Sequence, residues 1–187
     1  MVVYSREFAI LQMFRSATRE QVQDGIAWYS AARTFAVALA RQYHVTKQCA
    51  AGVIAALSPQ VSWKKNKDYA AIILRGKLDG IKPRAHCIAR NWDKAWRIAT
   101  GSHPLAVLGG PKVRAFYRNI CGKNDRSVTV DVWAKRVAEP FVTDGGKFTD
   151  AHYIVLATAY QAVAESLGMV PAHLQAVCWI TIRGTGA

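Results

Sequence analysis

The chain has 187 residues, half of them apolar, and carries a formal net charge of +13. That length suits one compact domain or two small lobes with a sizeable core. The cysteines at 49, 87, 121 and 178 are widely spaced with no Cys-x-x-Cys, which argues against a zinc site, an iron–sulfur cluster or a disulfide framework.

Charge is segregated along the chain. No Asp or Glu occurs between Gly25 and Lys67, whereas Arg33, Arg41, Lys47, Lys64, Lys65 and Lys67 do. From Lys82 to Arg118 there are eight basic residues and one acid, Asp93. From Val137 to Ile182 the balance reverses. A basic centre interleaved with aromatics (Trp63, Tyr69, Trp92, Trp96, Phe116, Tyr117) suits a polyanionic partner, and nucleic acid is favoured over a merely solvated basic surface. Arg6 and Glu7 come too early for a signal peptide, and no apolar run reaches membrane-spanning length. The expectation is a cytoplasmic, soluble monomer with reduced thiols and no membrane association.

Helix signals dominate the chain order. Thr18-x-x-Gln21 is a capping box ahead of a long helix over Gly25 to Tyr43. Thr46 can cap a third helix through Leu57, which Pro59 ends. Ser62 can cap another through Leu74, stopping near Gly76. Pro83 and Asn91 are read as opening two short helices, the second ending at Gly101. Pro104 opens a turn or two before Gly109-Gly110. Lys112 to Ile120 is helical, with Gly122 as its stop. Asp131 caps Val132 to Ala138. Thr149 caps a long helix ending at Gly168, and Pro171 starts the last. Ser127 to Val130 is β-prone but too short and isolated for a sheet. The Asp144-Gly-Gly-Lys147 loop is the expected flexible joint. The reading is all-α, with about ten helices.

Chemistry concentrates in Leu108-Gly-Gly-Pro-Lys112 and Ser127-Val-Thr-Val-Asp131. A glycine turn at a helix N-terminus can present backbone N–H groups to a DNA phosphate, and Gly109 and Gly110 fit that task. Arg114 and Arg118, four apart on one face, extend the basic rim. Cleaving an N-glycosidic bond leaves an oxocarbenium-like sugar, which a carboxylate stabilises while orienting a nucleophile. Asp131 is the best carboxylate, and its bland alternative is a helix cap only. Lys112, nineteen positions earlier, could attack the sugar as an amine or simply contact a phosphate.

Segment 105–138 resembles the helix–hairpin–helix/Gly-Pro-Asp superfamily of DNA base-excision glycosylases, which includes endonuclease III and 8-oxoguanine glycosylase. Members carry Leu-Pro-Gly-Val-Gly-x-Lys, a helix, then Val-x-Val-Asp before another helix. Leu108 to Lys112 and Val128 to Asp131 follow that frame. The resemblance implies that Lys112 is the nucleophile and Asp131 the essential carboxylate. Upstream, Leu57-Ser-Pro-Gln60 resembles the family's Leu-Ser-x-Gln segment, whose amide side chain fills the gap left by a flipped base. Gln60 takes that position, with Asn66 a weaker candidate. Extruding the base is needed because stacking hides the bond to be broken. Trp63 and Trp133 are candidate wedge or pocket residues, and Lys64 and Lys65 candidate DNA contacts.

Two features depart from the family: the hairpin is shorter, with no second Gly before the lysine, and the four-cysteine iron–sulfur loop is missing. The match spans about residues 46–140 and is also similar to short phage-associated members.

The resemblance implies two helical lobes with a cleft: 46–122 as a central bundle bearing the helix–hairpin–helix, and 1–45 with 123–187 as a discontinuous second lobe. It implies excision of a damaged or modified base from duplex DNA without metal or cofactor, in a bacterial or phage-infected cell. If Lys112 attacks, abasic-site cleavage by β-elimination would follow. Three alternatives stay open: a phage DNA base-hypermodification transferase on the same fold, a non-catalytic DNA-binding module, and an RNA-binding protein.

Overall fold

A computed structural model describes residues 5–122, 126–142 and 149–184. Among them are ten α-helices and no strand, so the all-α reading holds. They are α1 (Arg6–Arg15), α2 (Arg19–Gln42), α3 (Lys47–Leu57), α4 (Trp63–Asp79), α5 (Ala89–Ala99), α6 (Pro104–Val107), α7 (Pro111–Cys121), α8 (Val132–Ala138), α9 (Asp150–Ser166) and α10 (Pro171–Arg183).

Side-chain caps set most of the starts. Thr18 and Gln21 exchange reciprocal bonds: the Thr18 N–H donates to Gln21 Oε1 at 2.9 Å, and the Gln21 N–H to Thr18 Oγ1 at 3.2 Å. Thr46, Ser62 and Thr149 cap α3, α4 and α9 as expected. α1 was not foreseen. Ser5 caps it by accepting the Phe8 N–H at 3.1 Å, with Glu7 in its first turn and Arg15 in its last.

Two boundaries differ from the sequence reading. α4 runs past Gly76 and ends at the left-handed Gly80, because Gly76 serves as a close packing point beside Ile81 and Pro83 rather than as a stop. No helix starts at Pro83. Residues 81–88 stay irregular, and the Pro83 carbonyl accepts the indole N–H of the buried Trp92 at 3.0 Å. The Asp144–Lys147 loop lies outside the described residues.

The chain divides into two compact units, residues 1–30 with 123–186, and residues 31–122. The division falls inside α2, whereas the sequence reading placed it at 45/46. In the second unit α3 is the central helix, and Ala50 to Leu57 are all buried. It packs against α4, α5, α6 and α7. Arg33 Nε and Lys47 Nζ donate to the Ile120 and Cys121 carbonyls at 3.1 and 3.3 Å, which places two cations at the C-terminus of α7.

In the first unit α1, α8, α9 and α10 enclose a core that includes Ile10, Val130, Leu156, Tyr160 and Leu174. Gly25 lies against α10 there: an added Cβ would fall 2.6 Å from the Val177 backbone, so this approach needs glycine. No single helix among the described residues is long and apolar enough to cross a membrane.

Candidate functional site

Segment 127–130 delivers Asp131. Its four side chains are all buried, so the segment is an interior strut rather than a strand. The Tyr153 hydroxyl donates to the Val128 carbonyl and accepts the Val130 N–H at 3.4 Å. The Tyr29 hydroxyl bonds to Thr129 Oγ1 at 2.9 Å and to Gln175 Oε1 at 3.2 Å. The chain therefore enters α8 with its heading set by three other helices.

Asp131 is the N-cap of α8, half-buried, with extended backbone (φ −102°, ψ −174°). Its Oδ1 accepts the Trp133 and Ala134 N–H groups at 3.0 and 2.8 Å. Oδ2 takes part in neither bond. The negative charge thus sits at the positive end of a helix. Beneath it, burial pushes the Tyr160 phenol well above its ordinary pKa, with the charges of Cys178 and Asp131 adding to the effect. Tyr160 therefore stays protonated and donates to the Ala134 carbonyl at 3.0 Å.

Trp133 is half-buried and stacked among cations. The Arg136 guanidinium lies 4.6 Å from its ring centroid and that of Arg183 5.9 Å. Arg183 also lies 4.6 Å from the Trp179 centroid, and Trp179 meets Trp28 edge-on at 6.2 Å. Sequence reasoning missed this ladder. The Trp133/Arg136 and Trp179/Arg183 spacings are visible on helices, but only packing of α8 on α10 joins them.

In the other unit, Leu108, Gly109 and Gly110 form the turn that joins α6 to α7. Leu108 is 1 % exposed and anchors it. Gly110 has φ +71° and ψ 149°, a conformation that essentially requires glycine. No side chain caps α7, and Pro111 holds its first position, so the first turn leaves backbone N–H groups without a side-chain acceptor. Lys112 is half-buried in the first turn.

Two basic residues near the turn differ from expectation. Arg114 folds back instead of extending the rim: its Nε donates to the Leu108 carbonyl at 2.9 Å and its terminal nitrogen to the Leu105 carbonyl at 3.4 Å, so it braces the turn. Lys94, on α5, was not singled out by sequence, yet its Nζ lies 3.3 Å from where a Gly109 Cβ would stand. Arg118 is exposed on α7.

The α3–α4 turn places Gln60 at an exposed position with φ +62°, an uncommon backbone state for a side-chain-bearing residue. Trp63 begins α4 and meets Phe35 edge-on at 6.0 Å, with Lys67 Nζ 5.9 Å from both rings. Lys64 and Lys65 are exposed beside it. Asn66 departs from the expected base-contacting role. It is 2 % exposed, and its Nδ2 donates to the Ile54 carbonyl at 3.1 Å, because the first turn of α4 lies against α3.

The second unit also has a groove of about 440 Å³ lined by Tyr43, Ile72, Arg75, Asp79, Ile81 and Pro83 among others, none of them a candidate site residue from the sequence. Among the described residues no group of three His, Cys, Asp or Glu could share a metal ion. None of the four cysteines forms a disulfide, and burial pushes Cys178 up to about 12.

No curated protein and no solved structure matches the chain. A family model does match, over residues 4–186, and by that match the chain belongs to the Family of unknown function (DUF7178).

Proposed function

We propose that this protein is a DNA N-glycosylase that extrudes a damaged or modified base and breaks its bond to the sugar. Part of the proposal is membership of the helix–hairpin–helix/Gly-Pro-Asp fold. The observation that carries it is Asp131, anchored at the start of α8 by two backbone N–H bonds through one oxygen. The uncapped Gly109-Gly110 turn, two residues before Lys112, which itself lies nineteen before that carboxylate, adds a phosphate-binding element.

In the reaction the C1′–N bond breaks and its electron pair leaves with the base, which is then protonated. Asp131 stabilises the positive charge that develops on the sugar and accepts a proton from the water that adds to C1′. Should Lys112 attack instead, its amine would form a Schiff base and abasic-site cleavage would follow. Gln60, exposed in the α3–α4 turn, is the residue assigned to the space vacated by the base.

Asp131's capping bonds equally support a second reading, a non-catalytic DNA-binding module. One experiment separates them: mass spectrometry of free bases released from DNA containing 8-oxoguanine, uracil, alkylated bases or modified cytosines, by wild type and Asp131→Asn. Asparagine still caps a helix but carries no charge. A base released by wild type alone supports the glycosylase. Tight DNA binding by both proteins with no base released from any DNA overturns it.

A further inference from the structure

Two exposed arginines on the first unit lie over indole rings and, among the described residues, pair with no carboxylate. Arg136 reaches back over Trp133 within α8, and Arg183 reaches back over Trp179 within α10. The packing of α8 on α10 brings both guanidiniums to the same indole, 4.6 and 5.9 Å from the Trp133 centroid. Neither makes an ion pair among the described residues. A guanidinium lying over an indole keeps its N–H donors in its own plane, free for a planar, bidentate acceptor. Holding the side chain on the ring removes rotamer freedom before binding, so a phosphate meets a preorganised fork. Trp133 also donates its backbone N–H to Asp131, which ties the pair to the first turn after the carboxylate.

We propose that Arg136 and Arg183, stacked on Trp133 and Trp179, form a clamp for the backbone phosphates of a single DNA strand beside Asp131. The proposal rests on the glycosylase reading for its role, which is to hold the strand that carries the extruded nucleotide. Successive phosphates of one strand are separated by a single sugar, so two guanidiniums sharing one ring can engage near neighbours. Both clamp residues are basic in a chain of net charge +13, and the occupant is a polyanion.

The test is fluorescence anisotropy of labelled oligodeoxythymidylate over a series of salt concentrations. Arg136→Gln and Arg183→Gln should each weaken binding by about tenfold at low salt and lower the salt slope by about 0.7, the value for one phosphate contact on a single strand. Trp179→Leu removes no charge, yet should weaken binding to a similar degree because Arg183 loses its seat. Trp179→Phe, which keeps an aromatic face, should restore it.

A Trp179→Leu protein with wild-type circular dichroism, melting and affinity overturns the clamp. So does wild-type affinity in the double arginine variant, which needs no change to the packed rings. Tighter binding of oligouridylate than of oligodeoxythymidylate overturns DNA as the occupant. Unmodified thymidylate needs no excision to be bound, so failure of base release would remove the glycosylase and leave these outcomes readable.

Discussion

At Asp131 a single oxygen accepts the N–H groups of Trp133 and Ala134, so the side chain is a helix cap whatever else it does. Substitutions separate the two duties. Asp131→Asn should leave the thermal midpoint almost unchanged while base release falls by at least about a hundredfold. Asp131→Ala should lose the cap as well, at about 1 kcal/mol of stability in urea unfolding. Equal base release by Asp131→Asn and wild type would leave only the cap. At Gln60 the left-handed backbone, φ +62°, is the informative feature. Gln60→Gly relieves that strain and should hold stability level or raise it by up to about 1 kcal/mol. It should nonetheless impair excision, because the side chain is gone. A glycine variant with full activity would remove Gln60 from the site.

The hairpin shows what an element adds to its residues. Gly110→Ala places a side chain at φ +71°, ψ 149°, and should cost about 1–3 kcal/mol together with duplex affinity. Gly109→Ala meets only the end of the Lys94 side chain, which can move. It should therefore weaken duplex binding with little change in melting. Similar losses of stability in the two variants would contradict this division.

A second element-scale test lies where α8 ends. Glu139, 7 % exposed at its side chain, accepts from Arg6 Nε at 2.7 Å and bonds to His152 Nε2 at 2.9 Å, tying α8 to α1 and α9. Burial alone would raise its carboxyl, but the bonds from His152 and Arg6 outweigh it and hold the group below its ordinary value of 4.5. A carboxyl lowered on folding contributes stability above its unfolded pKa and loses it as pH falls through the folded one. Urea midpoints should thus drop more steeply below pH 4.5 for wild type than for Glu139→Gln. Parallel curves would show that the triad adds nothing.

For the whole molecule, the charge balance sets the expected response of polyanion binding to salt. With a net charge of +13 concentrated in the basic centre of the chain, duplex affinity should fall linearly in log–log form with salt, by about 0.9 per phosphate neutralised. A slope near zero, measured by filter binding or anisotropy, would argue against DNA as the partner of this surface. The acidic C-terminal stretch does not change the expectation, because the net charge of +13 already includes it.

Much of the helical framework was legible in the sequence because its signals are local. Caps at Thr18, Thr46, Ser62, Asp131 and Thr149, and the hairpin prolines, act within one turn of themselves. The sequence by itself therefore determined an all-α chain, the Gly109-Gly110 turn and the carboxylate that starts α8. Tertiary structure alone decided what depends on distant partners. Pro83 opens no helix, and its carbonyl instead accepts the indole N–H of Trp92 nine residues later. Asn66 turns inward because α4 lies on α3. Arg114 braces the turn through carbonyls six and nine residues away in sequence. The arginine–tryptophan ladder forms only when α8 meets α10, which joins Trp133 to Arg183 fifty residues later in the chain. A single sequence records periodicity and capping; which side chains meet across helices is set by packing, which no local pattern encodes.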